Sequence, residues 1–335
     1  MIFLFQKTLI FAVPLLIVAL AGLFAERSGI INIALDGIMI TGSFVGALTA
    51  YLLRGNPFFV DHNQLTFVIS LFAAALSGAV FSLLLSFSAI NLKADQTIGG
   101  TALNLLAPAL SLFFIKILFF KDKLEMTGMP DSTGKSQDFG FVILNPDLSS
   151  VGQVFLDKAY ISTFISIGLF VLLSIWIYKT RTGLRLRSCG EHPQAAASVG
   201  INVNRMRYLG TTISGALAGF GGYAYIAAVA NGTASGAVEG MGFLALAIMI
   251  FGNWKPLGIA LGALLFGFLK CLGVVSSQLS LTIGEQTVYP LKELGLPMYF
   301  YNLIPYIAVL LVLAFASKRS RPPKAEGIPY DKGMR

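Results

Sequence analysis

The sequence predicts an all-α bundle of about nine transmembrane helices, give or take one, and three observations carry that prediction. Hydrophobic residues make up 56% of the 335 positions and charged residues 12%, for a mean hydropathy of +0.77. Apolar runs of the roughly 20 residues needed to cross a bilayer core recur from end to end. The basic residues concentrate in the connections between those runs, where they bias topology.

Apolar runs bounded by charges place the spans near 8–24, 30–53, 65–90, 98–120, 159–178, 207–229, 240–252, 256–275 and 299–317. The first follows Lys7 and ends in Ala19-Leu20-Ala21, which invites a signal-peptide reading. Cleavage there would leave the later loops positive-outside, so an uncleaved first helix is expected. The seventh run is short, and Gly252, Asn253 and Pro256 break it from the eighth, so these two are either two spans or one span plus a re-entrant piece. With the N-terminus outside, fifteen of the 24 Lys and Arg residues fall inside and seven outside, while Lys116 and Lys270 lie within spans. This sets a multi-pass protein of the cell (inner or plasma) membrane with its N-terminus outside and C-terminus cytoplasmic. The domain division is a transmembrane domain over 1–317 and a polar cytoplasmic tail over 318–335. The extracytoplasmic loop 121–158 reads equally as a lid or a solvated connector.

Several function classes drop out. The segment Gly128 to Ser136 mimics a phosphate loop, but five residues rather than four separate its first glycine from Gly134-Lys135-Ser136. No nucleotide site is therefore expected in this chain. Neither HExxH nor GxSxG occurs, and His62 and His192 lie in loops, so the chain is read as no enzyme. Cys189 and Cys271 are far apart and belong to no metal or disulfide pattern, and no cofactor is expected. The charge of +8 belongs to membrane topology, not to nucleic-acid binding.

Polar groups inside spans are costly and mark function by default. Asp36 follows Asn32 by four residues, so a helix would put amide and carboxylate on one face, as lining of a polar path or as a structural link to a neighbouring helix. Asn104 carries the same two readings. Glu239 reads equally as helix cap and as functional group, and Lys116 and Lys270 as snorkelling side chains. Gly42 and Gly46, Gly215 and Gly219, and Gly258 and Gly262 form three GxxxG pairs that predict close helix packing. In the inner connection 179–206, Pro193 suits a first helical position, Ala195, Ala196 and Ala197 propagate the turn, and Gly200 suits a stop. A short helix outside the bilayer results, either a docking lever or a surface helix.

The run RTGLRLRSCGEHPQAAASVGIN resembles the coupling segment of ABC importer permeases of the branched-chain amino acid and simple-sugar class. ERSGIINIALDGIMITGSF at 26–44, ADQTIGGTALNLLAPAL at 94–110 and EGMGFLALAIMIFGNWKPLG at 239–258 are most similar to its nucleoside-uptake branch, guanosine and purine permeases included. The resemblance implies alternating access driven by a separate cytoplasmic ATPase that binds ATP and Mg. It also implies a second homologous permease, a substrate-binding lipoprotein, and a nucleoside or simple sugar as cargo. Carried onto this chain, it puts Glu191, Pro193, Ala195, Ala196, Ala197 and Gly200 in the ATPase-facing helix, and Asn32, Asp36 and Asn104 near the path. His192 departs from the pattern, where Asn is the more usual residue. The competing class is an ion-coupled secondary transporter using Asp36 as a cation or proton site.

Overall fold

The computed structural model describes residues 2–126, 160–275, 281–283, 286–288, 298–316, 321–331 and 333. Its helices are α1 Ile2–Arg27, α2 Leu35–Leu53, α3 Pro57–Asp61, α4 Asn63–Ser86 continued by a π turn over Phe87–Asn91, α5 Gln96–Phe119 and α6 Ile161–Lys179. There follow α7 Arg181–Glu191, α8 Pro193–Ser198, α9 Val203–Ala228, α10 Met241–Phe251, α11 Pro256–Val275 and α12 Met298–Ala316. Strand β1 (Leu124–Glu125) pairs antiparallel with β2 (Thr233–Ala234), and β3 (Leu281–Ile283) with β4 (Gln286–Val288).

Helix α1 is apolar on every side and is buried almost throughout, from Phe11 to Ala25, packed against α9, α10 and α11. A helix hydrophobic all round belongs in the middle of a bundle. By contrast α4, α5 and α6 expose large apolar side chains such as Phe72, Leu76, Leu105, Phe113 and Leu172. In water that surface would be untenable; against lipid tails it is the expected outside of the bundle.

Three helices meet where they have no side chains. A Cβ placed on Gly42 of α2 would lie 2.4 Å from the Gly219 Cα of α9, and one on Gly78 of α4 would lie 2.3 Å from the Gly215 carbonyl oxygen. The glycine pairs at 42/46 and 215/219 thus seat α2 and α4 on α9, as their spacing predicts. The third pair closes the α10–α11 hairpin, Gly258 against Gly252 and Gly262 against Ile248. Gly219→Ala would drive a methyl group to 2.3 Å from the Ala74 carbonyl oxygen. It is expected to destabilise the bundle by about 1–3 kcal/mol, read as a lower melting temperature of the purified protein in detergent. An unchanged melting temperature would show that the three helices are free to move apart there.

Among the described residues, six helices are long and apolar enough to cross a membrane, against the nine spans expected. They match the first five and the eighth. The expected span 207–229 falls on α9 up to its C-cap Val229, and the helix's glycines and polar residues such as Thr211 and Ser214 make it too polar by composition, although it lies at the core. Span 240–252 is the 11-residue α10, and 299–317 coincides with α12. Loop 121–158 is described only to Met126, and the phosphate-loop mimic at 128–136 lies outside the described residues.

One correction concerns span 30–53, because helix begins only at Leu35. Gly29, with φ +97°, turns the chain after α1, and residues 28–34 run without helical structure. Asn32 and Asp36 therefore do not share a helix face.

Candidate functional site

The break at 28–34 runs inward from the Arg27 end and leaves backbone groups without helical partners, which is costly wherever water is excluded. Side-chain amides of α5 satisfy them. The Ile31 amide donates to Gln96 Oε1 at 2.7 Å and the Gly37 amide to Asn104 Oδ1 at 2.7 Å, while Asn104 Nδ2 donates to the Ile33 carbonyl at 2.9 Å. Asn104 thus clamps the start of α2 with both ends of its amide. Pro108, four residues on, lacks the amide that would bond the Asn104 carbonyl, so α5 is loosened at the same level. Asn32 Nδ2 donates to Ser214 Oγ of α9 at 2.8 Å, and Asn32 Oδ1 is buried with no partner among the described residues.

Asp36 sits in the first turn of α2 and faces the first turn of α10, whose Gly242 amide donates to Asp36 Oδ1 at 2.8 Å. A Cβ on Gly242 would lie 2.4 Å from the Asp36 Cα, so glycine is what permits the approach. Two helix N-termini, each with a positive dipole end, converge on one carboxylate. Ten residues of helix rise separate Gly242 from the turn at Gly252, about 15 Å, which puts this junction near the middle of a roughly 30 Å apolar layer. The short seventh run is therefore a half-helix that starts inside the membrane.

Beside this junction lies a cluster that sequence reasoning treated singly. Lys270 of α11, only 6% exposed in its side chain, pairs with Glu239 at 3.3 Å and lies 5.5 Å from the Tyr306 ring centre of α12. The Tyr306 hydroxyl donates to the Glu239 carbonyl at 2.8 Å, and Tyr225 of α9 lies within electrostatic reach of the Glu239 carboxylate. Lys270 is thus an interior ion-pair partner, not a snorkelling chain. The residue at the α10 N-cap is Gly240, so Glu239 is not the helix cap either. Lys116, the other basic residue within a span, pairs with Asp122 at 3.2 Å near the surface. The one legible signal for the cluster was a glutamate bounding one apolar run and a lysine within the next.

At the end of the bundle that carries Arg27, α7 and α8 form a short helical hairpin. Thr180 caps α7 by accepting from the Gly183 amide at 3.1 Å, Pro193 opens α8, and Gly200 at φ +83° ends it, as the residue pattern predicts. The Arg181–Glu191 helix was not foreseen. Glu191 pairs with Arg27 at 3.2 Å. Pro193 and Ala196 are buried, Ala196 against Cys189 and Val203, so of the predicted coupling residues these two face the chain's own interior. Glu191, Ala195 and Gly200 are exposed, and Ala197 half so, with Val199 beside them 75% exposed.

The tail was read only as polar, yet residues 321–331 thread across this same end. The Arg321 amide donates to Asn253 Oδ1 at 2.9 Å, the Ala325 amide to the Gly190 carbonyl at 2.9 Å and the Gly327 amide to the Gly29 carbonyl at 3.3 Å. Arg207, 1% exposed, donates to the Ile328 carbonyl at 2.9 Å, and Asp331 pairs with Lys93 at 2.8 Å. Glu326 packs beside Glu26, whose Oε2 accepts from Trp254 Nε1 at 2.5 Å. Burial pushes the Glu326 carboxyl up to about 7, against the opposing pull of its hydrogen bond to Glu26 and of Arg27.

Because that value is raised, the packed tail holds a proton that a detached tail would release between about pH 4.5 and 7. Packing is therefore firmest below that window and weakens as pH rises through it. Hydrogen exchange of 321–331, corrected for intrinsic rate, should show opening rise roughly tenfold from pH 5 to 8, and Glu326→Gln should flatten the dependence. A dependence that persists in the Gln variant would assign it to another group.

Residues 4–315 match the family of the branched-chain amino acid transport system / permease component. The chain is 38% identical over 329 residues to the guanosine ABC transporter permease protein NupQ of Bacillus subtilis, covering 98% of this chain and 96% of that one. It is 35% identical over 326 residues to the nucleoside ABC transporter permease protein NupC of Lactococcus lactis, covering 97% and 95%. The putative glucose ABC transporter permease protein TsgC13 of Haloferax volcanii is 27% identical over 317 residues, covering 92% and 90%. No solved structure matches the chain. The chain belongs to this permease family: it is a multi-pass membrane transport component and not an enzyme.

Proposed function

We propose that this permease carries nucleosides into the cell as the membrane subunit of an ABC importer. The observation that carries the reading is its similarity, over nearly the whole chain, to two permeases named for guanosine and for nucleosides. In this reading a separate ATPase binds ATP and Mg and docks on the exposed side of α8. A second permease of the same family completes the path, and relatives named NupB and NupP, each a second permease of the organisms that carry NupC and NupQ, support such pairing. A binding lipoprotein delivers substrate from outside. Asp36 and Asn32 border the path, with Asn104 holding the helix break open beside them.

The Arg27 end faces the cytoplasm in this proposal, because it gathers Lys93, Arg181, Arg185 and Lys255, in accord with the positive-inside rule. Cysteine labelling in a Cys-free background tests it: an impermeant reagent should reach Asp61→Cys in intact cells and Ser198→Cys only after lysis. The reverse pattern would invert the topology.

Substrate is tested by uptake of labelled guanosine, glucose and leucine in cells with and without the chain. Guanosine uptake should disappear with deletion and return with the plasmid-borne chain. Loss of glucose or leucine uptake instead, with guanosine unaffected, would reject the nucleoside reading.

A further inference from the structure

We infer that Glu239 is a substrate-contacting carboxylate of the translocation path, shaped to take the vicinal hydroxyls of a ribonucleoside, an assignment that rests on the nucleoside reading above.

Depth is the first argument. Lys270 is the fifteenth residue of α11, so helix rise puts it about 21 Å from the Arg27 end of the bundle, within the apolar layer. Glu239 pairs with it at 3.3 Å and so shares that depth. Yet the two partners differ sharply in exposure, 6% for the lysine side chain and 65% for the glutamate. A carboxylate open to lipid would be costly, so the exposed side of Glu239 faces a water-filled route.

Backbone geometry is the second argument. Glu239 holds φ +50° and Gly240 φ +68°, two successive left-handed residues directly before α10. A side chain at the first of these carries strain that glycine or asparagine would relieve, and such strain persists where surrounding structure enforces it, often at working sites. Here the enforcement is visible: the Lys270 ammonium on the carboxylate and the Tyr306 hydroxyl on the Glu239 carbonyl fix the residue from two helices. A carboxylate so fixed, with an oxygen toward water, can accept two hydrogen bonds from adjacent hydroxyls, and bonds to a charged acceptor are the strong kind. Tyr306, 37% exposed, offers an aromatic surface beside it for a base.

The test uses the transporter purified with its second permease and ATPase, free of the binding lipoprotein, in lipid nanodiscs, and reads the rise in melting temperature of the permease caused by guanosine or by 2′,3′-dideoxyguanosine. Guanosine should stabilise the wild type and the dideoxy compound much less. Glu239→Ala and the milder Glu239→Gln leave the Lys270 ammonium without its counter-charge, so both should melt lower than the wild type without ligand yet still fold, and bind guanosine roughly ten- to hundredfold more weakly. Equal shifts from both compounds in the wild type, an undiminished guanosine shift in the variants, or failure of both variants to fold would each overturn the assignment. So would the absence of any guanosine shift in a wild type whose cells still take up guanosine; the nucleoside reading would then stand and this site alone would fall. Cells that take up no guanosine at all would remove both.

Discussion

Asp36→Ala is expected to cut uptake at least tenfold while the protein still reaches the membrane in normal amount. The carboxylate accepts from the Gly242 amide at 2.8 Å and lies between the starts of two helices, α2 and α10. Removing it leaves an amide unpaired at membrane depth, which costs roughly 1–3 kcal/mol, and leaves two positive helix ends facing each other. The bundle tolerates this, because most of its packing is made among α1, α4, α9 and α11. What suffers is the junction at which a half-helix must keep its place while the path opens. Asp36→Asn separates the two contributions of the group. It keeps an acceptor for Gly242, so the melting temperature lost in Asp36→Ala should return, whereas uptake should stay low for want of the charge. If Asn restored uptake too, Asp36 would be a helix cap and nothing more.

Much of this fold was legible because lipid simplifies the code. Long apolar runs announced α1, α2, α4, α5, α6 and α11, and glycine spacing announced how α2 and α9 approach each other. What escaped the sequence was whatever depends on irregular backbone. A hydropathy pattern cannot see that Gly29 turns the chain and that helix resumes only at Leu35, since residues 30–34 are as apolar as a helix would be. Asn32 and Asp36 were therefore put on one face, when they bond different helices, α9 and α10.

The candidate site was half legible for a related reason. Asp36 and Asn104 stood out as polar residues in apolar surroundings, and the structure brings both to the start of α2. Glu239 stood at the edge of one apolar run and Lys270 within the next, 31 positions apart, and only the hairpin of α10 and α11 makes them partners. The tail's contacts were beyond reach altogether. Several run through backbone amides and carbonyls at Ala325, Gly327 and Ile328, groups that every residue owns and no pattern advertises, and the Asp331–Lys93 pair joins charges 238 positions apart.

Ala195→Arg is expected to separate the permease from its ATPase without disturbing the permease itself. The neighbouring alanine shows why the position matters. Ala196 is buried against Cys189 and Val203, so an arginine there would break the chain's own packing, and loss of the complex would follow from local misfolding. Ala195 lies on the exposed side of α8, close in sequence to Val199, a large apolar side chain that is three-quarters exposed at the end of a helix outside the apolar layer. Nothing among the described residues covers that face, and a docked ATPase would. An arginine introduced under such a partner is a charge buried without a counterpart, a cost of several kcal/mol, roughly a thousandfold in affinity. The hairpin should survive, since Thr180 still caps α7, Pro193 still opens α8 and Gly200 still ends it. The measurements are co-purification of the ATPase, ATP hydrolysis stimulated by loaded binding protein, and the melting temperature of the permease alone. The first two should fall to background in Ala195→Arg with the third unchanged, while Ala196→Arg should lower all three. Wild-type co-purification and stimulation in Ala195→Arg would mean that α8 docks nothing, and the coupling contact would have to be sought elsewhere at the Arg27 end.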